Sequence, residues 1–455
     1  MYRARPANAE PVVADVVPAP WEWVASIVVI VMMTGALIGP ILAPDQGESP
    51  ALRLIWYPAY AAILVLAIRR APSIARLWPA LLVVGAISFL CWVSSLWSIF
   101  PEVTIRRWIA VTISMLFGVY LAAAFRGPRL LRLLCWAFML MAILSLIFVA
   151  ALPSYGIHDD VNAGMWRGIW YEKNQAGMMM FSGAIAALAL LVSGAPGRRL
   201  GVAALVLCTF MMLGSQSKTS LLCLLTGGGA IIGLHILRKV GPAAAVVLGW
   251  MGAVALSVGF AAVTAFKDQF YALLGKDPSL TGRTQIWDAM WRYIEERPTF
   301  GFGYAAFWKP DSIQADWIRF QNEWPVPSAH HGWMEVLLQL GWVGVAVIGL
   351  AAMITVIATL VRLPTLGVRE GYWAVGALIT LGVVSLSESV LLLHHNMTWV
   401  LAIVVLASRF GPVAPAAAPV PAPQRKAAPV RLAAGPVLPR PAHPGWALET
   451  RRSFK

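Results

Sequence analysis

The sequence predicts an all-α polytopic membrane protein of about twelve transmembrane helices, with one large loop domain on a single membrane face. Three observations predict it. The 455 residues are 59% hydrophobic and only 12% charged, with a mean hydropathy of +0.72, too apolar for a soluble domain. Apolar runs long enough to cross a hydrocarbon core of about 30 Å recur along the chain. The basic residues also concentrate in alternate loops.

The runs fall at roughly 23–42, 51–68, 79–98, 108–124, 133–152, 175–193, 199–214, 218–237, 243–266, 332–360, 372–392 and 397–408. The short even-numbered loops hold Arg69, Arg70, Arg76, Arg126, Arg129, Arg132, Arg198, Arg199, Arg238, Lys239, Arg362 and Arg369, twelve bases against the single acid Glu370. The short odd-numbered loops hold five bases, Arg106, Arg107, Arg167, Lys173 and Lys218, against seven acids. Bases are retained on the cytoplasmic side, so both termini are expected there and the odd loops outside.

The expected organisation is a cytoplasmic segment 1–22, nine spans within 23–266, a large outside loop 267–330, three more spans within 331–408, and a tail 409–455. The segment before Trp21 has no cleavage-type ending, so no removed signal peptide is expected. The tail, rich in Pro and Ala, carries eight bases against Glu449 and so accounts for +7 of the net charge of +14. It reads as a disordered extension lying on anionic lipid, or as a dock for a cytoplasmic partner such as a chain-length regulator. With half of the excess charge in that tail, its distribution argues against nucleic acid as the ligand. Cys91, Cys135, Cys208 and Cys223 all sit inside apolar runs without CxxC spacing, and read as small packing residues.

The loop 267–330 is too rich in aromatics, from Trp287 to Trp324, to be disordered, and its seven bases nearly cancel eight carboxylates. A folded cap is expected, either packed as an interfacial belt or stacking on sugar rings. Within "SLTGRTQIWDAMWRYIEERP", Ser279 or Thr281 can cap a helix that Pro298 stops. Arg283 then lies in its first turn on the face of Trp287, Met290, Trp291 and Ile294. There it either clamps a phosphate group with the helix N-terminus or pairs with Asp288 or Glu296. In "GSQSKTSLL", Lys218 is a lone base at the mouth of two apolar helices, a site candidate by default. Lys173-Asn174, in "YEKNQAG", is either a headgroup anchor or part of a site. In "PSAHHGWMEV", His330, His331 and Glu335 open an apolar run, with His394-His395 on the same side. Metal ligands, interfacial anchors and a neutral imidazole as general base are the three readings; no standard zinc spacing is present.

At these residues the chain resembles the O-antigen ligase and Wzy-type polymerase superfamily, and within it the ExoQ-like exopolysaccharide polymerases. The ligase signature is His, then Asn, Ser or Gln, nine residues, Gly, two residues, Gly. Here His330 is followed by His331, nine residues, Gly341, two residues and Gly344, so the second position departs from it. "LTGRTQIW" with "RPTFGFGYAAFW" resembles the ExoQ-like form, "SQSKTSLL" a Ser-Arg-Thr-like element with Lys218 for the commoner Arg, and "YEKNQAG" a Lys-Asn element. The likeness covers roughly residues 165–400. It implies a fold similar to GT-C enzymes and a metal-independent inverting glycosyltransferase without cofactor in the bacterial inner membrane. Such an enzyme takes glycan from undecaprenyl diphosphate on the periplasmic side and gives it to an acceptor hydroxyl. By position His330 would be the general base, with His331 the alternative, and Arg283 and Lys218 would hold the diphosphate. Lys173, Asn174, Trp287, His331 and Glu335 would line the substrate. Rival readings are a ligase onto lipid A core and, from another class, a transporter, for which no convincing internal repeat is evident and the candidate residues lie at one membrane face.

Overall fold

The computed structural model describes residues 17–37, 50–160, 162–265, 283–323, 325–363 and 367–411. Among them the chain is helical, the only β structure being one bridge between Ile157 and Trp166. The principal helices are α1 (Pro20–Met33), α2 (Pro50–Arg69), α3 (Trp78–Val93), α4 (Pro101–Ala124), α5 (Pro128–Ala151), α6 (Lys173–Val192) and α7 (Arg198–Gly214). They continue with α8 (Lys218–Lys239), α9 (Pro242–Ala265), α10 (Arg283–Glu296), α11 (Ile313–Asn322), α12 (Gly332–Arg362), α13 (Gly367–Ser385) and α14 (Met397–Ser408). Six of these, α3 with its 3-10 extension, α4, α5, α6, α8 and α12, are long and apolar enough to cross a membrane, and five more carry shorter apolar segments. The molecule is a polytopic membrane protein. The expected caps Ser279 and Thr281, Trp324 and the basic tail beyond Gly411 lie outside the described residues.

Helix α6 occupies the interior, packed by α5, α7, α8 and α13. Lipid offers no hydrophobic drive between helices, so close approach depends on small residues. A Cβ on Gly177 would stand 2.4 Å from Ser220 Oγ of α8, and one on Gly183 would stand 2.8 Å from Cys208 Sγ of α7. The four cysteines are free and buried.

Two breaks in helical structure place the functional end. Inside α12, Gly341 has φ +61°, where a Cβ would meet the Thr299 carbonyl carbon at 2.3 Å. The freed backbone groups are taken up by the segment before it. Phe302 N donates to Leu338 O (3.0 Å) and Gly303 N to Gln339 O (2.9 Å), while Trp342 N donates to Pro298 O (2.8 Å) and Val343 N to Thr299 O (3.2 Å). A broken helix is tolerated at membrane depth only when its backbone is re-satisfied in this way. The first glycine of the His-x9-Gly-x2-Gly pattern, Gly341, is therefore a packing position. The "RPTFGFG" stretch locks the first two turns of α12, with α10 packed on them through Ile286, Met290 and Ile294, and Phe307 and Ile318 in the same apolar cluster.

The second break precedes α14, whose 12 residues span only about 18 Å at 1.5 Å per residue. Asn396 caps it, accepting from Trp399 N at 3.1 Å. His395 N donates to Ser114 Oγ (3.2 Å) on α4, and Ser114 lies about 20 Å along that helix from its first residue. The segment 386–396 thus descends beside α4 before α14 begins.

Candidate functional site

Three helices that begin at one end of the bundle each start with a base: Lys173 on α6, Lys218 on α8 and Arg283 on α10. A connected set of hydrogen bonds ties their first residues together. Ser220 Oγ donates to Ser217 Oγ (2.9 Å), Ser217 Oγ to Asn174 Oδ1 (3.1 Å), and Asn174 Nδ2 to Glu388 Oε1 (3.3 Å). The same Glu388 oxygen receives Arg283 Nη2 at 3.1 Å, and Arg283 Nη1 donates to Ser387 O at 2.7 Å. Ser217 stands at the N-cap of α8, yet its hydroxyl makes no cap bond and turns to Asn174 instead. Helix N-termini are positive ends with outward-facing N–H groups, so their convergence with cationic side chains favours an anion. Lys218 is close enough to Lys173 for each charge to act on the other, and Lys173 Nζ rests on Met165 Sδ at 2.7 Å.

His330 meets this set through Glu388, with Nδ1 3.5 Å from Oε2. Both side chains are partly open, at 24% and 11% exposure. His330 has φ +48°, a left-handed backbone uncommon for any residue but glycine. His331 has a different task. Its Nδ1 accepts from Met334 N (3.3 Å) as the N-cap of α12, and its ring stands edge-on to Trp287 at 5.4 Å. Burial first, with the Arg283 charge acting in the same sense, holds its imidazole below the ordinary value and favours the neutral form.

Two expectations need correction. Trp291 does not share the inner face of α10: it is 45% exposed, while Ile286, Ala289, Met290 and Ile294 turn inward, because a 3.6-residue period carries position 291 off the stripe. Arg283 pairs with neither Asp288 nor Glu296 in the contacts that define it, but with the distant Glu388. Trp287 stays beside the site and donates its indole N–H to Ala329 O at 2.9 Å.

Glu335, expected against substrate, lies behind the site, 5% exposed, with its carboxylate filled by protein donors. It accepts from Ala329 N (2.9 Å), Trp308 Nε1 (3.2 Å), Ser389 Oγ (3.3 Å) and Gln339 Nε2 (2.7 Å). Ala329 precedes His330 and Ser389 follows Glu388, so this one carboxylate braces both segments that carry the His330–Glu388 pair. Replacing Glu335 by Ala is expected to leave those buried donors unmatched and to lower stability by on the order of 3 kcal/mol. Thermal unfolding in detergent would read this, and an unchanged midpoint would refute the bracing role.

Among the described residues no group of three His, Cys, Asp or Glu is placed to hold a metal. His394 and His395 face elsewhere, towards Arg107 and towards Trp56 and Tyr60. The residue that sequence reading missed is Glu388. Its signal was a lone acid in the apolar stretch "VVSLSESVLLL", and ionisable groups at membrane depth are functional candidates by default.

Residues 203–349 match the O-antigen ligase family. The exopolysaccharide production protein ExoQ of Rhizobium meliloti (strain 1021) is 28% identical over 211 residues, covering 43% of this chain and 47% of that protein. The alignment thus spans about half the length of this relative. Both findings support the resemblance to the O-antigen ligase and ExoQ-like family that the motifs carry. The matched segment contains Lys218, Arg283, His330, His331, Gly341 and Gly344, and ends before Glu388.

Proposed function

We propose that this chain, a membrane protein resembling the O-antigen ligase and ExoQ-like family, joins lipid-linked oligosaccharide repeat units into an exopolysaccharide. In this reading it is a twelve-span, GT-C-like protein of the bacterial inner membrane, with both termini cytoplasmic and the site at the periplasmic face. The donor is a glycan on undecaprenyl diphosphate, and the acceptor is a second lipid-linked repeat. The observation that carries the proposal is the shared carboxylate of Glu388, which joins Arg283 and the Lys218 helix start to His330.

The acceptor hydroxyl gives its proton to His330 as its oxygen attacks the anomeric carbon from the face opposite the diphosphate, so configuration inverts. Glu388, with Oε2 3.5 Å from Nδ1, stabilises the imidazolium that forms. The bond from the anomeric carbon to the diphosphate oxygen breaks, and charge develops on the leaving group. Arg283 and Lys218, at two helix N-termini, stabilise that charge, so the transfer proceeds without a metal. Lys173 and Asn174 complete the rim, and Trp287 and His331 form the wall beside the sugar.

The test is to incubate the purified protein with undecaprenyl-diphosphate-linked repeats and to follow glycan length. A ladder of longer lipid-linked chains is expected. Transfer appearing only when lipid A core is supplied would replace polymerisation with the second reading, a ligase, which the matching family description favours.

A further inference from the structure

Joining two lipid-linked chains brings two diphosphates to the enzyme. The donor's leaves at Arg283 and Lys218. The acceptor's keeps all its bonds, yet it too must be accommodated at the membrane. We propose that Arg107 and His394, with Trp56, Tyr60 and His395, form a second anion site that holds the diphosphate of the lipid-linked acceptor while its sugar chain reaches His330. The inference rests on the polymerase reading for the identity of the ligand, and on the following geometry for the site.

Arg107 lies six residues into α4, about 9 Å from its start, at the end of the bundle that carries α10. Its guanidinium meets His394 Nε2. Next to it Trp56 of α2 stacks on His395, with ring centroids 3.5 Å apart and planes 7° from parallel, and Tyr60 Oη lies 2.5 Å from His395 Nε2. These groups come from two helices and from the descending segment 386–396, in which Leu392 and His395 both hold left-handed backbone. Irregular backbone at membrane depth is tolerated where protein buries it or where it lines a cavity, and an ionisable side chain held there is a functional candidate. The approach is apolar: Leu54 and Tyr57 on α2, and Ile105 and Ile109 on α4, are exposed on the flanks, where a polyprenyl chain can lie. The two sites are joined rigidly. Glu335 holds Gln339, Gln339 Oε1 accepts from Ala305 N (3.0 Å), and the adjoining Tyr304 donates its hydroxyl to Leu392 O (2.7 Å). A fixed spacing between the two diphosphates would follow.

The experiment titrates the full chain in detergent with undecaprenyl diphosphate and counts bound lipids by native mass spectrometry. Two per chain are expected for the wild type and for Arg107→Lys, and one each for Arg107→Gln and Arg283→Gln. In the elongation assay Arg107→Gln should raise KM for the lipid-linked acceptor on the order of tenfold, with KM for the donor unchanged. A wild type that binds one lipid, an Arg107→Gln chain that binds two with wild-type affinity, or displacement from this site by phosphatidylglycerol as readily as by the diphosphate would each overturn the proposal. Two bound lipids without elongation would instead reject polymerisation and leave the second site standing.

Discussion

The His330→Ala protein is expected to transfer glycan on the order of 10²–10⁴-fold more slowly than wild type, the range that general-base assistance supplies. The position is suited to this role in two ways. Nδ1 lies 3.5 Å from Glu388 Oε2, so a carboxylate is placed to stabilise the protonated ring. The side chain also remains 24% exposed, leaving room for an acceptor hydroxyl. Since φ at this residue is +48°, Ala adds backbone strain to the lost base. His330→Asn separates the two, because Asn tolerates the left-handed region and offers no comparable base. Both variants should lose the rate, and the Asn variant should keep the wild-type unfolding midpoint. His331→Ala is the opposing control: losing the N-cap of α12 should cost about 1 kcal/mol of stability with a smaller loss of rate. If His331→Ala abolished transfer while both His330 variants retained it, the base would be His331.

How much of this was legible beforehand follows from the range of the interactions. Local signals carried well. Helix α10 ends at Glu296, just before Pro298, as helix punctuation dictates, and Lys173 and Lys218 each stand at a helix start. The His-x9-Gly-x2-Gly spacing gave the position of Gly341, but only the docked "RPTFGFG" segment explains why glycine is needed there. What stayed hidden depends on contacts between residues far apart in sequence. Glu388 is 105 positions from Arg283 and 214 from Asn174, and no periodicity links them. Glu335 looked available because a helix start at a membrane mouth is usually wet; burial by Trp308, Ala329 and Ser389 is a tertiary fact. Apolar patterning marked 397–408 as apolar, but that the 12-residue α14 follows an irregular segment beside α4 depends on the distant contact of His395 N with Ser114.

Removing Arg283 tests the anion side of the same site, and Arg283→Ala is expected to lower kcat on the order of 10²–10³-fold, as loss of a donor to developing charge does elsewhere. Both its ends are engaged, Nη1 on Ser387 O at 2.7 Å and Nη2 on Glu388 Oε1 at 3.1 Å. An arriving diphosphate therefore competes with Glu388 for the guanidinium, and Asn174, already 3.3 Å from the same oxygen, keeps that carboxylate in place. Arg283→Lys should recover only part of the rate, because an ammonium cannot serve a carboxylate and a phosphate with a planar fork. Glu388→Gln should act mainly through His330, by weakening the stabilisation of its protonated form. Since Arg283 and Glu388 work as one unit, the double variant Arg283→Ala with Glu388→Ala should lose less than the product of the two single losses. Initial rates at saturating donor, with unfolding midpoints measured in parallel, decide the matter. An Arg283→Ala protein within tenfold of wild type would mean that the leaving group is held elsewhere, with Lys218 at the start of α8 the next residue to change.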